Sequence, residues 1–366
     1  MIGSSLESCF KGKTVLVTGH TGFKGSWLSI WLNMLGAKVV GVSDRIPTSP
    51  SNFEASEVGR SVEDIRINLI EHESVYKVIE DTAPDFVFHL AAQALVNKSY
   101  QDPIETLQTN IMGTANLLDA LRNRNKKCVA VMITSDKCYD NVEWEWGYRE
   151  NDRLGGKDPY SASKGGAEFV IRTFFESYLK NSLVRLGTAR AGNVIGGGDW
   201  AADRLVPDCV RAWSDRAIVK IKNPNTTRPW QLVLEPLGGY LCLAMSLDRS
   251  DTLSGEAFNF GPLAESNYSV IQLIEAMQQY WENVRYEVTA ADTKKVYEAG
   301  LLKLNCDKAL LKLKWKPTYD FSDTVASTVS WYKDFYQNCD DMRALCEKQI
   351  QDYFNASREQ EIEWAL

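Results

Sequence analysis

The segment that most constrains this chain lies near its start: TVLVT at 14–18, then GHTGFKG, then SWLSIWLNMLGAKVVGVSD. A short β-branched run, a glycine-rich turn and an apolar stretch stopped by glycine predict strand, helix and second strand. Two parallel strands joined by a helix form a βαβ unit, and such units build sheets covered on both faces. Strand-like runs at 86–90, 129–133 and 183–188 alternate with helical stretches, notably 103–123. The expected fold class is therefore α/β, a Rossmann-type doubly wound parallel sheet.

Gly19, Gly22 and Gly25 stand where that first strand enters its helix. Without Cβ atoms the backbone can turn tightly and approach a pyrophosphate held at the helix N-terminus. The spacing is one residue wider than the common dinucleotide fingerprint, and a purely structural glycine turn would read the same way. Asp44 closes the second strand, where a carboxylate accepts from an adenosine ribose and repels a 2′-phosphate, favouring NAD over NADP. Arg45 beside it offers the opposite, a partner for that phosphate. Asp64, placed after the next predicted strand, is either an acceptor for the adenine amino group or an ordinary loop carboxylate.

From about residue 190 the texture changes to a glycine-rich loop, GNVIGGGDW, and to helices with loops between them. A chain of 366 residues is too long for one small core. We expect a cofactor domain over 1–190 and a smaller C-terminal substrate-binding region over 191–366, with a helical tail and one strand possible as a return to the main sheet. Residues 269–284 and 322–337 read as amphipathic helices, each opened by a serine suited to capping.

The net charge of -7 speaks against nucleic acid as a partner, since phosphate neutralisation needs excess Lys and Arg. Any anionic ligand must be held by a few placed cations. The eight cysteines are scattered without a C-x-x-C pair or a histidine at metal-ligand spacing, so we expect reduced thiols and no metal. The opening MIGSSLESCFKGK has no apolar signal region, and no membrane-spanning run follows, so the expected location is the cytoplasm.

Tyr160 and Lys164, four apart in DPYSASKGGAEF, fall on one face of a helix. An ammonium beside a phenol favours the phenolate, which would lower the tyrosine pKa and make it a base for an alcohol proton. Ser135 follows the 129–133 strand, at the carboxyl end of the sheet where ligands bind. A glycine turn, a serine after a strand and then Y-x-x-x-K, in this order, resemble the extended short-chain dehydrogenase/reductase superfamily in its sugar-nucleotide-modifying branch. HLAAQ at 89–93 and NIMGTANLLDA at 110–120 are similar to that branch, and the resemblance covers about residues 12–335.

Longer runs, ITSDKCYDNVEWEWGYRENDRLGGKDPYSASK and GNVIGGGDWAADRLVPD, resemble the nucleotide-sugar 4,6-dehydratases within it. That resemblance implies bound NAD, regenerated each cycle, with Gly19, Gly22, Phe23, Lys24, Gly25, Asp44, Asp64, Ile65, Leu90, Ala91, Ala92, Tyr160 and Lys164 around it. It assigns catalysis to Ser135, Asp136, Lys137, Tyr160 and Lys164, and substrate contacts to Gln93, Asn193, Arg204 and Arg228. Lys137, where dTDP-hexose dehydratases carry Glu, points to a CDP-hexose. It is either the base that removes the C5 proton or a permanent cation beside the cofactor or enolate. Asp136 must be protonated to act as acid, which desolvation would favour. Leu232, Tyr297 and Asn305 depart from the family pattern, putting sugar or base recognition in question. An epimerase, a reductase or a dehydratase acting on another nucleotide hexose, or a non-catalytic dinucleotide-binding protein, are the alternatives, and the resemblance implies a homodimer or higher homo-oligomer that pairs through helix 103–123.

Overall fold

The computed structural model describes residues 4–289, 301–337 and 341–366. Seven strands, β1 (Thr14–Thr18), β2 (Lys38–Ser43), β3 (Glu63–Arg66), β4 (Phe86–His89), β5 (Cys128–Ile133), β6 (Val184–Ala191) and β7 (Ala257–Phe260), form one sheet in the order β7-β6-β5-β4-β1-β2-β3. Every neighbouring pair is parallel. The order reverses between β1 and β4, which opens a crevice at the carboxyl ends of the strands.

Alternation along each strand sends side chains to two cores. Val15, Val17, Val129 and Val131 join one cluster, whereas Leu16, Ala130 and Met132 join the other. The smaller cluster is closed by α2 (His72–Thr82), α3 (Gly113–Arg122) and α4 (Pro159–Phe174). On the larger side α1 (Phe23–Met34) is buried from Gly25 to Leu32, on every face, because a second helical layer lies over it. Trp31 packs edge-on against Tyr353, and the Trp27 indole donates to the Gly197 carbonyl at 2.9 Å. Ser26 and Ser29 satisfy their hydroxyls by donating back to Gly22 and Gly25 carbonyls.

The residues after 191 return β7 to the sheet edge, with Phe258↔Ala189 in register. Helices Leu205–Ser214, Leu234–Arg249, Val270–Gln278 and Phe321–Tyr336 share the larger cluster with α1. Two expectations need adjustment. The helix at 103–123 is present, but it carries a π-helical turn at Gln108–Met112 between Pro103–Leu107 and α3. The Ser269 cap holds, as a full capping box with Gln272, but the later helix starts at Phe321 and is capped by Asp320 rather than Ser322. Among the described residues seven cysteines are free, and burial raises the thiol pKa of each. No described helix is long and apolar enough to cross a membrane.

Candidate active site

One cleft of about 1160 Å³ opens at the crevice and contains most of the residues singled out by sequence. Its floor is the glycine turn. Gly19 has φ +75°, and a Cβ there would stand 2.7 Å from the Ala91 nitrogen. A Cβ on Gly25 would meet the Gly19 carbonyl oxygen at 2.1 Å, so the turn closes on α1 only without side chains. Gly22 caps α1 without a side-chain acceptor, leaving the first-turn amides of the helix directed at the cleft. An anionic diphosphate fits this cradle on charge and on space.

At the far end of β2, Asp44 and Arg45 line the same cleft. Arg45 is held by Asp44 at 2.9 Å and by Glu105 at 3.1 Å. Asp44 and Glu105 thus already neutralise Arg45, with Glu105 shared with Lys98 at 2.8 Å. Leu90, Ala91 and Ala92 follow β4 along the cleft wall, as expected. Asp64 and Ile65 do not line it. Pairing of Ser43 with Arg66 sets the end of β3, so residue 64 lies within the strand and the chain reaches the cleft at Asn68 and Leu69 instead. Asp64 accepts from Arg66 at 2.7 Å and faces His20 Nε2 at 3.0 Å, and Ile65 packs on the smaller core. His20, fully buried under the turn, places Nδ1 3.1 Å from the Ser43 hydroxyl. Burial lowers its pKa against the pull of Asp64. Neither His20 nor Asn68 was singled out by sequence; the signal for Asn68 was the strand end, which only pairing defines.

Beyond the turn, three segments converge. Ser135 caps a short 3-10 turn (Asp136–Cys138) after β5, and its hydroxyl donates to the Asp136 carboxylate at 2.8 Å. Asn193, at φ +53°, donates to the other Asp136 oxygen at 3.3 Å. A Cβ on Gly192 would lie 2.0 Å from that carboxyl, so the loop after β6 needs glycine to admit it. Asp158 caps α4, with Pro159 at the first position, and the helix presents Tyr160 and Lys164 to the cleft. Lys137, Arg204 and Arg228 complete the wall.

The electrostatics differ from the expectation for the phenol. Burial pushes Tyr160 up to about 12, opposed by a hydrogen bond with Ser135 and by the charge of Arg204. The same burial pulls Lys164 down to about 8. Both groups have left water, and for each the desolvation cost exceeds the gain from its neighbours. Lys24 reaches away from the turn to within 3.5 Å of the Tyr240 hydroxyl, and burial brings it down to about 7. Arg204 is tied to Asp199 at 2.7 Å.

Gln93 lines the cleft, yet its amide is engaged within its own loop: it donates to Leu95 and Thr106 and accepts from the Leu95 amide. These bonds hold the loop that carries Gln93 along the cleft wall. Of the three departures from the family pattern, Leu232 is buried in the core and Asn305 pairs with Asp307 at a helix entrance, both outside the cleft. Tyr297 lies outside the described residues. The outer arm of the cleft is built from residues not singled out by sequence, Val219 to Asn223, Trp230, Val270 and Leu302.

A family model described as GDP-mannose 4,6 dehydratase matches residues 16–328, the whole of the segment that lines this site. The chain belongs to that family. Over 96% of its length it is 43% identical to the CDP-glucose 4,6-dehydratase of Salmonella typhimurium, of which 99% is covered. Among solved structures it is similar to the epimerase Mth375 of Methanothermobacter thermautotrophicus, with TM-score 0.79, 22% identity and coverage of 95% and 98% of the two chains. It is also similar to the UDP-glucose 4-epimerase of Brucella ovis in complex with NAD, with TM-score 0.74, 20% identity and coverage of 88% and 99%. Members of this fold thus share the sheet and its crevice, and the chain's own residues in the crevice must discriminate among activities.

Proposed function

We infer that this chain is an NAD-dependent sugar-nucleotide 4,6-dehydratase that converts CDP-glucose to CDP-4-keto-6-deoxyglucose and water. The observation that carries the reading is the Asp136 carboxyl, buried beside Ser135 and within the same cleft as Tyr160 and Lys164. An epimerase or reductase needs only the phenol, serine and lysine; a second acid is needed when a hydroxyl must leave. The extensive likeness to the Salmonella enzyme supports the nucleotide and the sugar. The two described departures support it too, since neither touches the cleft.

The glycine cradle, Asp44, Asn68 and the alanines after β4 would hold NAD, and the Asp44–Arg45–Glu105 cluster favours it over NADP. When bound, NAD supplies a reversible hydride acceptor for C4, and later the donor for C6. Tyr160 accepts the 4-hydroxyl proton as the phenolate, and Ser135 is oriented towards the same oxygen. The Ser135 hydrogen bond, the charge of Arg204 and the positive ring of bound NAD would favour that form against the burial that raises the Tyr160 pKa. Oxidation makes the C5 hydrogen acidic, because its carbanion is then conjugated to a ketone. Lys137 is our candidate for the C5 base. Asp136 delivers a proton to the 6-hydroxyl, which leaves as water. Arg204 and Arg228 are suited to the substrate diphosphate.

Incubation with CDP-glucose and NAD, followed by mass spectrometry, tests the reading: the product is lighter by one water, with no net cofactor reduction. An unchanged mass would sink it. We also propose a homodimer through the helices at 103–122 and 159–174, whose Ile104, Met112 and Phe169 are exposed. Sedimentation should give twice the chain mass, and Phe169→Glu should halve it.

A further inference from the structure

Behind the catalytic residues lies an ion pair that the mechanism above does not use. Arg190, on β6, holds Glu168, on α4, through two bonds of 2.8 Å, and both side chains are about 5% exposed or less. The pair ties together the strand end before Ser135, the helix of Tyr160 and Lys164, and the strand that leads to Gly192. Thr134, the residue before Ser135, donates to the same Glu168 oxygen at 2.5 Å. Glu168 stands one helical turn beyond Lys164 and two beyond Tyr160. Arg190 is two residues from Gly192, over which the Asp136 carboxyl packs. Its guanidinium also donates to the Tyr139 hydroxyl and the Glu150 carbonyl, and Tyr139 in turn donates to Asn259 on β7.

We propose that Glu168 and Arg190 are positioning residues that set the charge on Lys164 and the spacing between the Ser135–Asp136 turn and the Tyr160–Lys164 helix. This rests on the dehydratase reading for its effect on turnover, though not for its effect on Lys164. The physical argument is one of counter-charge. Lys164 is enclosed, and the neighbours that favour its ammonium are Cys138 and Glu168. Facing it from other elements are His89 on β4 and Lys24 at the glycine turn, while Asp136 on the 3-10 turn and Arg190 on β6 act, as Lys164 does, on the intervening Cys138. Cys138 is a thiol that burial keeps protonated. His89 is neutral, since burial takes it down to about 3. The full negative charge one turn away on its own helix is Glu168, and Arg190 decides how much of that charge Lys164 feels. Two charges buried this deeply seldom contribute to stability more than apolar side chains would, so a role in tuning accounts for their presence.

The two partners should then act in opposite directions. Removing the carboxylate in Glu168→Gln lowers the Lys164 pKa by about one unit; removing the guanidinium in Arg190→Met raises it. Competitive labelling with trace acetic anhydride, read on the Lys164 peptide by mass spectrometry, measures that pKa with neither cofactor nor substrate present. The alkaline limb of kcat for CDP-glucose dehydration should move with it, downward in Glu168→Gln and upward in Arg190→Met, while KM changes by less than about threefold. Arg190→Lys should restore the limb. Because either single change leaves a buried charge alone, the double variant Glu168→Gln with Arg190→Met supplies a neutral pair that folds, and it should show the downward shift. A Lys164 pKa unmoved in Glu168→Gln or in the double variant, or moved the same way by both single changes, would overturn the proposal. A wild-type chain that fails to dehydrate CDP-glucose while the labelling shifts hold would remove the functional reading and leave the charge-setting role standing.

Discussion

The inner and outer arms of the cleft are built in opposite ways. The inner arm takes Gly19, Gly22, Gly25 and Asp44 from one βαβ unit of about thirty residues, and backbone geometry does most of the recognition. The outer arm draws Asn193, Arg204, Val219 to Asn223, Arg228, Trp230, Val270 and Leu302 from five or more separate segments, most of them placed by packing against the larger core and Leu302 by a small cluster with Cys138, Tyr139 and Tyr148. A site made from contiguous backbone leaves a spacing signature, whereas one assembled from scattered side chains leaves almost none. This is why related chains can keep one arm and exchange the other, and why fold likeness alone does not name a substrate.

Several changes would break or sharpen that contrast. The largest effect is expected at the junction of the arms: Tyr160→Phe should lower kcat by about 10³-fold while NAD affinity, followed by fluorescence titration, stays within a factor of a few. Retained turnover would remove the phenol from its assigned place.

Next is a carboxyl that holds the outer half together. Glu235 is buried, and it accepts from the Thr318 and Tyr319 amides and from the Tyr353 hydroxyl. Burial pushes its pKa up to about 7 in spite of those bonds. A carboxyl raised on folding binds its proton more tightly in the folded chain, so its contribution is complete below the ordinary carboxyl range and lost as pH rises through about 7. Urea unfolding between pH 5 and 8 should show a fall of about 3 kcal/mol that Glu235→Gln flattens. An identical slope in the variant would assign the dependence elsewhere.

In the inner arm, Gly25→Ala drives a methyl group into the Gly19 carbonyl, and NAD affinity should fall by about 10- to 100-fold with the sheet intact by circular dichroism. The smallest effect belongs to the outer arm: Arg204→Gln should raise KM for CDP-glucose by about tenfold and lower kcat by no more than a few-fold, since this half-buried cation contributes to diphosphate binding in ground and transition states alike and only in part opposes the rise of the Tyr160 pKa. If Gly25→Ala is harmless and Arg204→Gln abolishes turnover, the two arms have been assigned the wrong way round.

Local pattern made the parallel sheet, the glycine turn, the capped helix of Tyr160 and Lys164, and the Ser135–Asp136–Lys137 run legible, because each depends on neighbours within one or two elements. Tertiary structure decided the rest. Whether Asp64 or Asn68 reaches the cleft depended on the register of β3 against β2, which strand composition does not encode. The resemblance assigned Gln93 to the substrate, and only the folded loop shows that its amide is also engaged by Leu95 and Thr106. The tyrosine's proximity to a lysine predicted a lowered pKa; enclosure in the folded chain reversed the sign, since desolvation by everything packed around the phenol outweighs its favourable neighbours. The amino-acid sequence by itself determined which chemical groups this protein carries and in what local order. The tertiary structure determined how dry they are and which of them meet, because burial and non-local contact exist only once the whole chain has closed over the sheet.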